Sequence, residues 1–412
     1  MRDVVIINGA RTPIGKFGGV FKDIAAVDLG ALAIKAALKR SCVKPEIVQD
    51  VIFGQIHQEG SGNNPTRIAS LKAGIPHTAG ALTVNNVCSS SMKAVEIAAR
   101  QIKSNKNDIV VAGGMESNSQ TPYMLTKARW GYRLRTDTLV DALYYDGFKD
   151  EFGTYGNYDH VGETAENIIE NAEELCKKYN LPNIRLSQEE INIFAFSSHK
   201  KYFKAKKNGF FDEIVPVKIK SKNKDVLISE DESPRKHITI EKLNKLTPVF
   251  RKNGMVTAGN TPPLNDGAAA LIMMSQEKAL ELNLTPIGVW ETSSSGNVEP
   301  EFMGLGPIPA IRNLLNKSDL TLDDIDIFEI NEAQAQQVLF CIKGLNIDDS
   351  NLNVNGGAIA IGHPPGMTGA RLILTSLYEL KRRNAKYAIC SLCAGGGTGM
   401  ATLVSNYSYE TS

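Results

Sequence analysis

The sequence has few cysteines, almost no net charge and no long apolar run. Six cysteines in 412 residues are too few for a small secreted domain held by disulfides, so a cysteine with a special role is expected to be a thiol. The 46 Lys and Arg residues nearly balance the 45 Asp and Glu residues, which argues against a nucleic-acid binder or a disordered chain. No apolar stretch approaches the roughly 20 residues of a membrane span, and MRDVVIINGARTP lacks the order of a signal peptide. We therefore predict a cytoplasmic globular protein.

The order of predicted elements indicates an α/β protein with two similar halves. At about 150 residues per domain, the length predicts two or three domains. Residues 84–117 and 353–400 each contain a small-residue turn, an amphipathic helix, a strand and a glycine cluster. Strand–helix–strand order favours parallel sheets with right-handed crossovers. Because few residues are identical between the two stretches, they support a duplicated unit only through this shared order.

The middle of the chain has a different composition and is interpreted as an insertion. Between about residues 120 and 247 the sequence becomes aromatic, charged and irregular, with predicted helices of its own. Its lysines are typical of solvated helix faces. A basic surface of this kind could also receive a phosphate-bearing ligand.

Three cysteines occupy positions where a reactive thiol is conceivable. Cys88, in NNVCSSSMKAVE, precedes a predicted helix, whose N-terminus would favour the thiolate. The alternative is a small apolar residue that fills a strand-to-helix turn. Cys390 and Cys393 form C-x-x-C, but the pair ends a predicted strand and no further zinc ligands stand nearby, which disfavours redox and zinc sites.

A histidine and an asparagine complete a set of candidate catalytic residues. His363 lies in the glycine- and proline-rich segment GGAIAIGHPPGMTGAR, which can aim an imidazole at a ligand. Asn331 and Glu332, in FEINEAQAQQ, could equally cap a helix. Taken one at a time, each residue has a structural explanation. Together with the two cysteines they fit carbon–carbon Claisen exchange between thioesters.

Five ordered segments of the chain resemble the thiolase family. They are NNVCSSSMKA, MVTAGNTPPLNDGAAA, NEAQAQQ, GGAIAIGHPPGMTGAR and CAGGGTG, and the similarity extends from GARTPIGKFGG to CAGGGTGM. The resemblance implies an α/β fold with duplicated α-β-α-β-α layered halves and an inserted loop domain. It places residues 1–119 and 247–271 in the N-terminal half, 120–246 in the loop domain that binds coenzyme A and contributes to oligomer contacts, and 272–412 in the C-terminal half.

The resemblance also implies a role for each catalytic residue. Cys88 would attack the acyl thioester and carry the acyl group through a ping-pong reaction. His363 would assist the thiolate and, with a water held by Asn331, bind the enolate oxygen of the second thioester. Cys393 would be the acid/base that removes an α-proton. Backbone N–H groups of Cys88 and Gly395 would form the other oxyanion hole.

The implied substrates are acetyl-CoA, acetoacetyl-CoA and coenzyme A. By resemblance, Arg235 packs on the adenine, while Met303, Phe250 and Ala258 line the pantetheine channel. His160 matches a histidine of short-chain members, which favours a small acyl group and the reaction 2 acetyl-CoA = acetoacetyl-CoA + CoA. The resemblance implies a homotetramer or homodimer. It implies neither a cofactor nor a metal, and no nucleic-acid or membrane partner is expected.

The chain departs from the family pattern at several positions near these residues. Ser91 stands where the family usually has Gly, and Pro262 and Pro263 replace a Ser–Gly pair. Gln334 replaces Phe, and Val161 stands where Met is frequent. A degradative 3-ketoacyl-CoA thiolase that acts on longer chains is therefore an open alternative.

The candidate catalytic residues fit two further functions less well than the thiolase reaction. A ketoacyl synthase-like condensing enzyme would have His or Asn in the place of Cys393. A lipid-binding or scaffolding protein would have no need for two reactive thiols. The retained cysteines disfavour both.

Overall fold

The computed structural model describes residues 2–134, 136–149, 161–221 and 224–410. The strands are β1 (Val4–Arg11), β2 (Gly15–Lys16), β3 (Asp50–Gly54), β4 (Gly80–Val84), β5 (Ile109–Ser117), β6 (Tyr123–Met124), β7 (Val140–Asp141), β8 (Val217–Ser221), β9 (Lys224–Ile228), β10 (Asn265–Ser275), β11 (Gly288–Asn297), β12 (Ile327–Ile330), β13 (Tyr387–Ala394) and β14 (Thr398–Ser405). The helices are α1 (Ala26–Arg40), α2 (Pro65–Lys72), α3 (Ser90–Lys103), α4 (Ala142–Gly147), α5 (Thr164–Glu170), α6 (Ala172–Lys178), α7 (Gln188–Lys207), α8 (Ile240–Leu243), α9 (Gln276–Glu281), α10 (Pro307–Ser318), α11 (Ala335–Leu345), α12 (Ala358–Ile361), α13 (Pro365–Arg383) and α14 (Tyr407–Glu410).

A ten-stranded sheet joins the two halves of the chain. Its hydrogen-bonded order is β12–β13–β14–β11–β1–β10–β5–β3–β4, with β2 beside β10. Strand β3 is parallel to β4 and β5, and β12 is parallel to β13, whereas the other neighbours are antiparallel. Strands β5 and β10 are buried along their whole length, as expected for continuous apolar runs covered on both faces. Because β4, β3 and β5 run parallel, their carboxyl ends lie at one edge of the sheet.

Helices α3 and α13 form the middle layer of the molecule. Apolar residues of both helices belong to one buried cluster, whereas α1 and α10–α11 cover outer faces in two other clusters. The two middle helices approach closely, because a Cβ added to Gly369 would lie 2.6 Å from the amide nitrogen of Met92. The loops that precede α3 and α13 consequently meet, and these loops carry Cys88 and His363.

The predicted α/β fold with duplicated layered halves is confirmed by this layer order. Strand β10 pairs with β1 and β5 of the N-terminal half and continues to Ser275, so the limit drawn at residue 271 falls inside a strand. The region 120–246 contains β6–β9 and α4–α8. None of the helices within the described ranges is long and apolar enough to cross a membrane.

Candidate active site

A pocket of about 430 Å³ opens between the turn that leads from β4 into α3 and the segment that precedes α13. Five of the predicted site residues line it: Cys88, His363, Gly395, Phe250 and Met303. The other described candidates lie outside this lining. In the part of the chain that the structure describes, no three His, Cys, Asp or Glu side chains are grouped so that they could hold a metal ion.

Cys88 is presented on a strained turn between β4 and α3. The preceding residue, Val87, has φ 50°, a left-handed conformation that β-branched residues rarely adopt. Its amide donates to Asn85 Oδ1 at 3.0 Å, and its carbonyl accepts from the Ser90 hydroxyl at 2.6 Å. Backbone strain of this kind persists where surrounding contacts enforce it, frequently at functional sites. The turn directs the Cys88 thiol into the pocket.

The structure corrects the expectation that the helix terminus makes Cys88 a thiolate. Burial raises the pKa of the Cys88 thiol to about 12, although a hydrogen bond from the Gly395 amide opposes this shift. Helix α3 begins only at Ser90, and desolvation outweighs the helix terminus. The thiol therefore needs a base.

His363 is oriented so that one ring nitrogen is available as that base. Its amide donates to Asn265 Oδ1 at 2.9 Å, and its Nδ1 lies 2.8 Å from Thr368 Oγ1. The Thr368 hydroxyl donates its single proton to the Pro364 carbonyl at 2.8 Å, so Nδ1 must be the donor in the His363–Thr368 bond. Nε2 then carries the lone pair, and it has no partner among the described residues. Burial lowers the His363 pKa to about 3, which keeps the imidazole neutral.

Cys393 and Asn331 lie buried behind the pocket wall. Cys393 is near the end of β13, and its thiol pKa is raised by burial and then by the neighbouring Cys88. Asn331 directly follows β12, where its amide donates to the Ser391 carbonyl at 2.9 Å. Both polar atoms of the Asn331 side chain lack a hydrogen-bond partner within the described ranges. A buried amide in this state is expected to bind a water or a ligand.

The predicted coenzyme A residues fall into two places. Phe250 and Met303 lie in the pocket wall, whereas Arg235 and Ala258 are exposed nearer the surface. Arg235 Nη2 donates to the Ala258 carbonyl at 3.0 Å, so the structure brings these two together. His160 lies outside the described residues.

Three departures from the family pattern have structural consequences. Ser91 is buried, and its hydroxyl accepts from the Ala370 amide at 3.0 Å, which joins α3 to α13. Pro262 and Pro263 lie in the pocket wall, as does Gln334. The Oε1 of Gln334 has no partner in the described part of the chain, so this wall offers a free acceptor.

Glu116, which none of the sequence motifs singles out, connects the loops of the site. Its carboxylate accepts from the amides of Ile56, His57 and Gly366 at 2.9–3.1 Å. It thereby ties the loop after β3 to the segment that carries His363. Burial raises its pKa to about 8, even though the three N–H groups oppose the shift. A carboxylate inside the apolar strand IVVAGGMES was the signal that could have revealed it.

Comparison with known proteins places this geometry in a large group of relatives. The family model described as "Thiolase, N-terminal domain" matches residues 4–277, and "Thiolase, C-terminal domain" matches residues 284–406. A "Probable acetyl-CoA acyltransferase" of Staphylococcus aureus (strain N315) is 43% identical over 99% of this chain and 100% of its own length. The crystal structure of the Bacillus anthracis acetyl-CoA acetyltransferase is 42% identical, has a TM-score of 0.92 and is matched over 98% of this chain and 99% of its own. The acetyl-CoA acetyltransferase of Syntrophomonas wolfei is 39% identical, with a TM-score of 0.91 and coverage of 98% and 100%.

Proposed function

The chain belongs to the thiolase family, and from this premise we propose that it catalyses Claisen exchange between thioesters, 2 acetyl-CoA = acetoacetyl-CoA + CoA. The observation that carries the proposal is the pocket shared by Cys88, His363 and Gly395. The relatives named acetyl-CoA acyltransferase or acetyltransferase support the same chemistry.

The first half-reaction loads an acetyl group on Cys88. The free Nε2 of His363 takes the thiol proton, and the thiolate attacks the carbonyl carbon of acetyl-CoA. The oxygen that becomes negative accepts hydrogen bonds from the backbone N–H groups of Cys88 and Gly395. Collapse of this intermediate expels the CoA thiolate, which takes a proton from Cys393. The products are acetyl-Cys88, free CoA and a Cys393 thiolate.

The second half-reaction forms the carbon–carbon bond. The Cys393 thiolate removes an α-proton from a second acetyl-CoA, and its raised thiol pKa makes it a stronger base for this purpose. The enolate oxygen is bound by protonated Nε2 of His363 and by a water on Asn331. The enolate carbon attacks acetyl-Cys88 and displaces the Cys88 thiolate, which recovers a proton from His363. Acetoacetyl-CoA leaves, and the reverse sequence is thiolysis.

Thiolysis of longer 3-ketoacyl-CoA substrates is the second candidate. An acetyl group has only three heavy atoms, whereas the pocket of about 430 Å³ has mainly apolar walls formed by residues such as Phe148, Phe250 and Met303. Because Phe250 and Met303 are also proposed to line the pantetheine channel, part of this volume belongs to coenzyme A. The apolar walls and the departures at Val161 and Gln334 in the same lining leave longer acyl chains as an open alternative. Initial rates of thiolysis on matched four-, six- and eight-carbon substrates separate the two candidates.

Several other properties belong to the proposal. The reaction needs no metal or prosthetic group, because the thiols, an imidazole and backbone N–H groups supply its chemistry. Arg235, Ala258, Phe250, Met303 and His160 are proposed to contact coenzyme A or the acyl group. A cytoplasmic location and a homotetramer or homodimer complete the proposal, and sedimentation of the purified chain tests the assembly.

The covalent intermediate provides the decisive experiment. We would incubate the protein with acetyl-CoA alone, quench in acid and map the acetylated peptide by mass spectrometry. We expect one acetyl group on Cys88, released by added CoA, and none on the Cys88→Ala variant. Cys42→Ala is the matched control, because Cys42 is exposed and outside the pocket. A folded wild-type protein that binds acetyl-CoA without Cys88 acetylation would contradict acetyl transfer.

A further inference from the structure

The pocket contains a second pair of polar residues that the reaction above does not use. His57 follows β3, and Asn118 follows β5. Since β4, β3 and β5 are parallel neighbours, their carboxyl ends lie at one edge, about 5 Å apart from strand to strand. His57 and Asn118 thus stand one and two strands away from Cys88, and all three line the same pocket.

These two side chains are buried and carry polar atoms without partners. His57 is 4% exposed and Asn118 is 1% exposed. Nδ1 of His57 and both polar atoms of the Asn118 side chain have no hydrogen-bond partner among the residues that the structure describes. Leaving such groups unsatisfied is unfavourable, because each has lost its hydration without gaining a partner. Their persistence in the wall of a substrate pocket points to a hydrogen-bonding group on the ligand.

His57 also lines a second, smaller cavity of about 110 Å³. Gln55 and Ser117 line this cavity as well. Nε2 of Gln55 donates to the His57 carbonyl at 2.6 Å and to Ser61 at 3.0 Å, which fixes the amide. Its Oε1 has no donor within the described ranges. Within the acyl pocket itself, Asn118 Oδ1 needs a donor and Asn118 Nδ2 needs an acceptor, so a ligand group there must both donate and accept a hydrogen bond.

The charges around the pocket exclude an anionic ligand group. None of the described residues that line the pocket is Lys or Arg, whereas the Asp141 carboxylate is present. Burial lowers the His57 pKa to about 4, so its imidazole is neutral near pH 7. A carboxylate on the acyl chain would lose its hydration without gaining a cation. A hydroxyl group is neutral and both donates and accepts, so it matches the neutral imidazole of His57 and the amide of Asn118.

We propose that the acyl group carried by Cys88 in the longer-chain reaction bears a hydroxyl group, which His57 and Asn118 recognise. This inference rests on the proposed covalent chemistry at Cys88. The proposed substrates are acyl-CoA and 3-ketoacyl-CoA thioesters whose acyl chain carries a hydroxyl group. Thioesters with an unsubstituted chain or with a second carboxylate are expected to be poorer substrates.

Matched pairs of acyl donors test the proposal through a ratio of rates. The second-order rate of Cys88 acylation is measured for 3-hydroxybutanoyl-CoA against butanoyl-CoA, and for 5-hydroxyhexanoyl-CoA against hexanoyl-CoA, with glutaryl-CoA as the anionic probe. We expect at least one hydroxylated donor to react about 10-fold faster or more than its plain partner. The proposal would be overturned if neither hydroxylated donor reacted faster than its plain partner, or if glutaryl-CoA reacted faster than both hydroxylated donors.

Two variants link that ratio to the residues. His57→Leu and, independently, Asn118→Leu should each reduce the hydroxyl preference about 10-fold, because an apolar wall no longer pairs with the hydroxyl. His77→Leu makes the same exchange at an exposed position and should preserve the ratio. The ratio within one preparation cancels any loss of folded protein, and the second variant serves if the first does not fold. An unchanged ratio in both variants would contradict the assignment.

The two proposals fail in different ways. If no thioester acylates Cys88 in folded protein, the covalent mechanism itself is wrong. If acetyl-CoA and butanoyl-CoA acylate Cys88 but no hydroxylated donor is preferred, the mechanism stands and the polar groups near His57 bind only water.

Discussion

Two buried polar clusters of this protein differ in how their hydrogen-bonding groups are paired. At the first, all three guanidinium nitrogens of Arg11 have partners: Nη1 and Nη2 contact Asp231 at 2.7 and 3.0 Å, and Nε contacts Glu213 at 3.3 Å. At the second, Asn118 in the pocket wall and Asn331 outside the pocket lining have no side-chain partner among the described residues. Arg11, Asn118 and Asn331 are each at most 1% exposed.

The difference separates groups that maintain the fold from groups that await a substrate. Buried polar groups are normally paired, because an unpaired one forfeits its hydration. In the cluster around Arg11 every guanidinium nitrogen follows this rule, although Glu213 Oε2 has no partner within the described ranges, and the ion pairs join β1 to the segment before α8. The pocket leaves polar groups unpaired where the proposed reaction needs free donors and acceptors. This arrangement lowers the stability of the fold in favour of function.

The strongest test of the comparison is loss of the Cys88 sulfur. We expect Cys88→Ala to lower kcat for thiolysis of acetoacetyl-CoA at least about 10⁴-fold, because no covalent intermediate can form. The midpoint of thermal unfolding should change little, since the substitution removes one atom from a pocket wall. Residual activity within 100-fold of wild type would show that another group carries the acyl chain.

The opposite result is expected in the paired cluster. Arg11→Met leaves Asp231 and Glu213 buried without their cation, which should reduce the free energy of unfolding by about 3–5 kcal/mol. Activity per folded molecule at low temperature should stay near the wild-type value, since Arg11 lies outside the pocket lining. Urea unfolding followed by circular dichroism, together with kcat of the folded fraction, measures both. A stable but inactive variant would contradict the separation of roles.

Asn331→Ala should lower activity without lowering stability. Loss of the proposed water-binding amide should reduce kcat about 10²–10³-fold, as for other oxyanion-hole donors. Because the amide has no partner to lose within the described ranges, the thermal midpoint should stay the same or rise. A marked drop in the midpoint would show that Asn331 is a structural residue.

The same contrast explains what could be predicted from the sequence. Cys88 and His363 stand in distinctive local segments, so their meeting at one pocket follows from recognisable turns before two helices. The contacts of Glu116 with Gly366 and His57 join segments that are distant along the chain, and no local pattern encodes them. The raised pKa of the Cys88 thiol could not be predicted for a related reason. It comes from burial, and burial depends on the assembled fold rather than on the helix that follows Cys88.

A change of pH is expected to have a smaller effect on stability. It acts through two buried, neutral imidazoles, that of His57 in the pocket and that of His199 outside the pocket lining. Burial lowers the pKa of His57 and of His199 to about 4 in each case. The unfolded chain, with histidine pKa near 6.5, then binds more protons than the folded chain between about pH 6.5 and 4, so stability falls as the pH falls through that range. Each residue should contribute about 2 kcal/mol of lost stability at pH 5.

His199→Asn isolates the contribution of the packing imidazole. His199 Nδ1 accepts from the Arg235 amide at 3.2 Å, and an asparagine oxygen can accept in its place without titrating near neutral pH. The decrease in unfolding free energy between pH 7 and pH 5 should therefore be about 2 kcal/mol smaller in this variant than in wild type. Urea titrations at the two pH values measure it, with the exposed His77→Asn as control. Equal pH dependence in wild type and His199→Asn would mean that the His199 imidazole takes up its proton in the folded protein as it does in the unfolded chain. The buried site around His199 would then tolerate a charge without a counter-ion, unlike the site around Arg11.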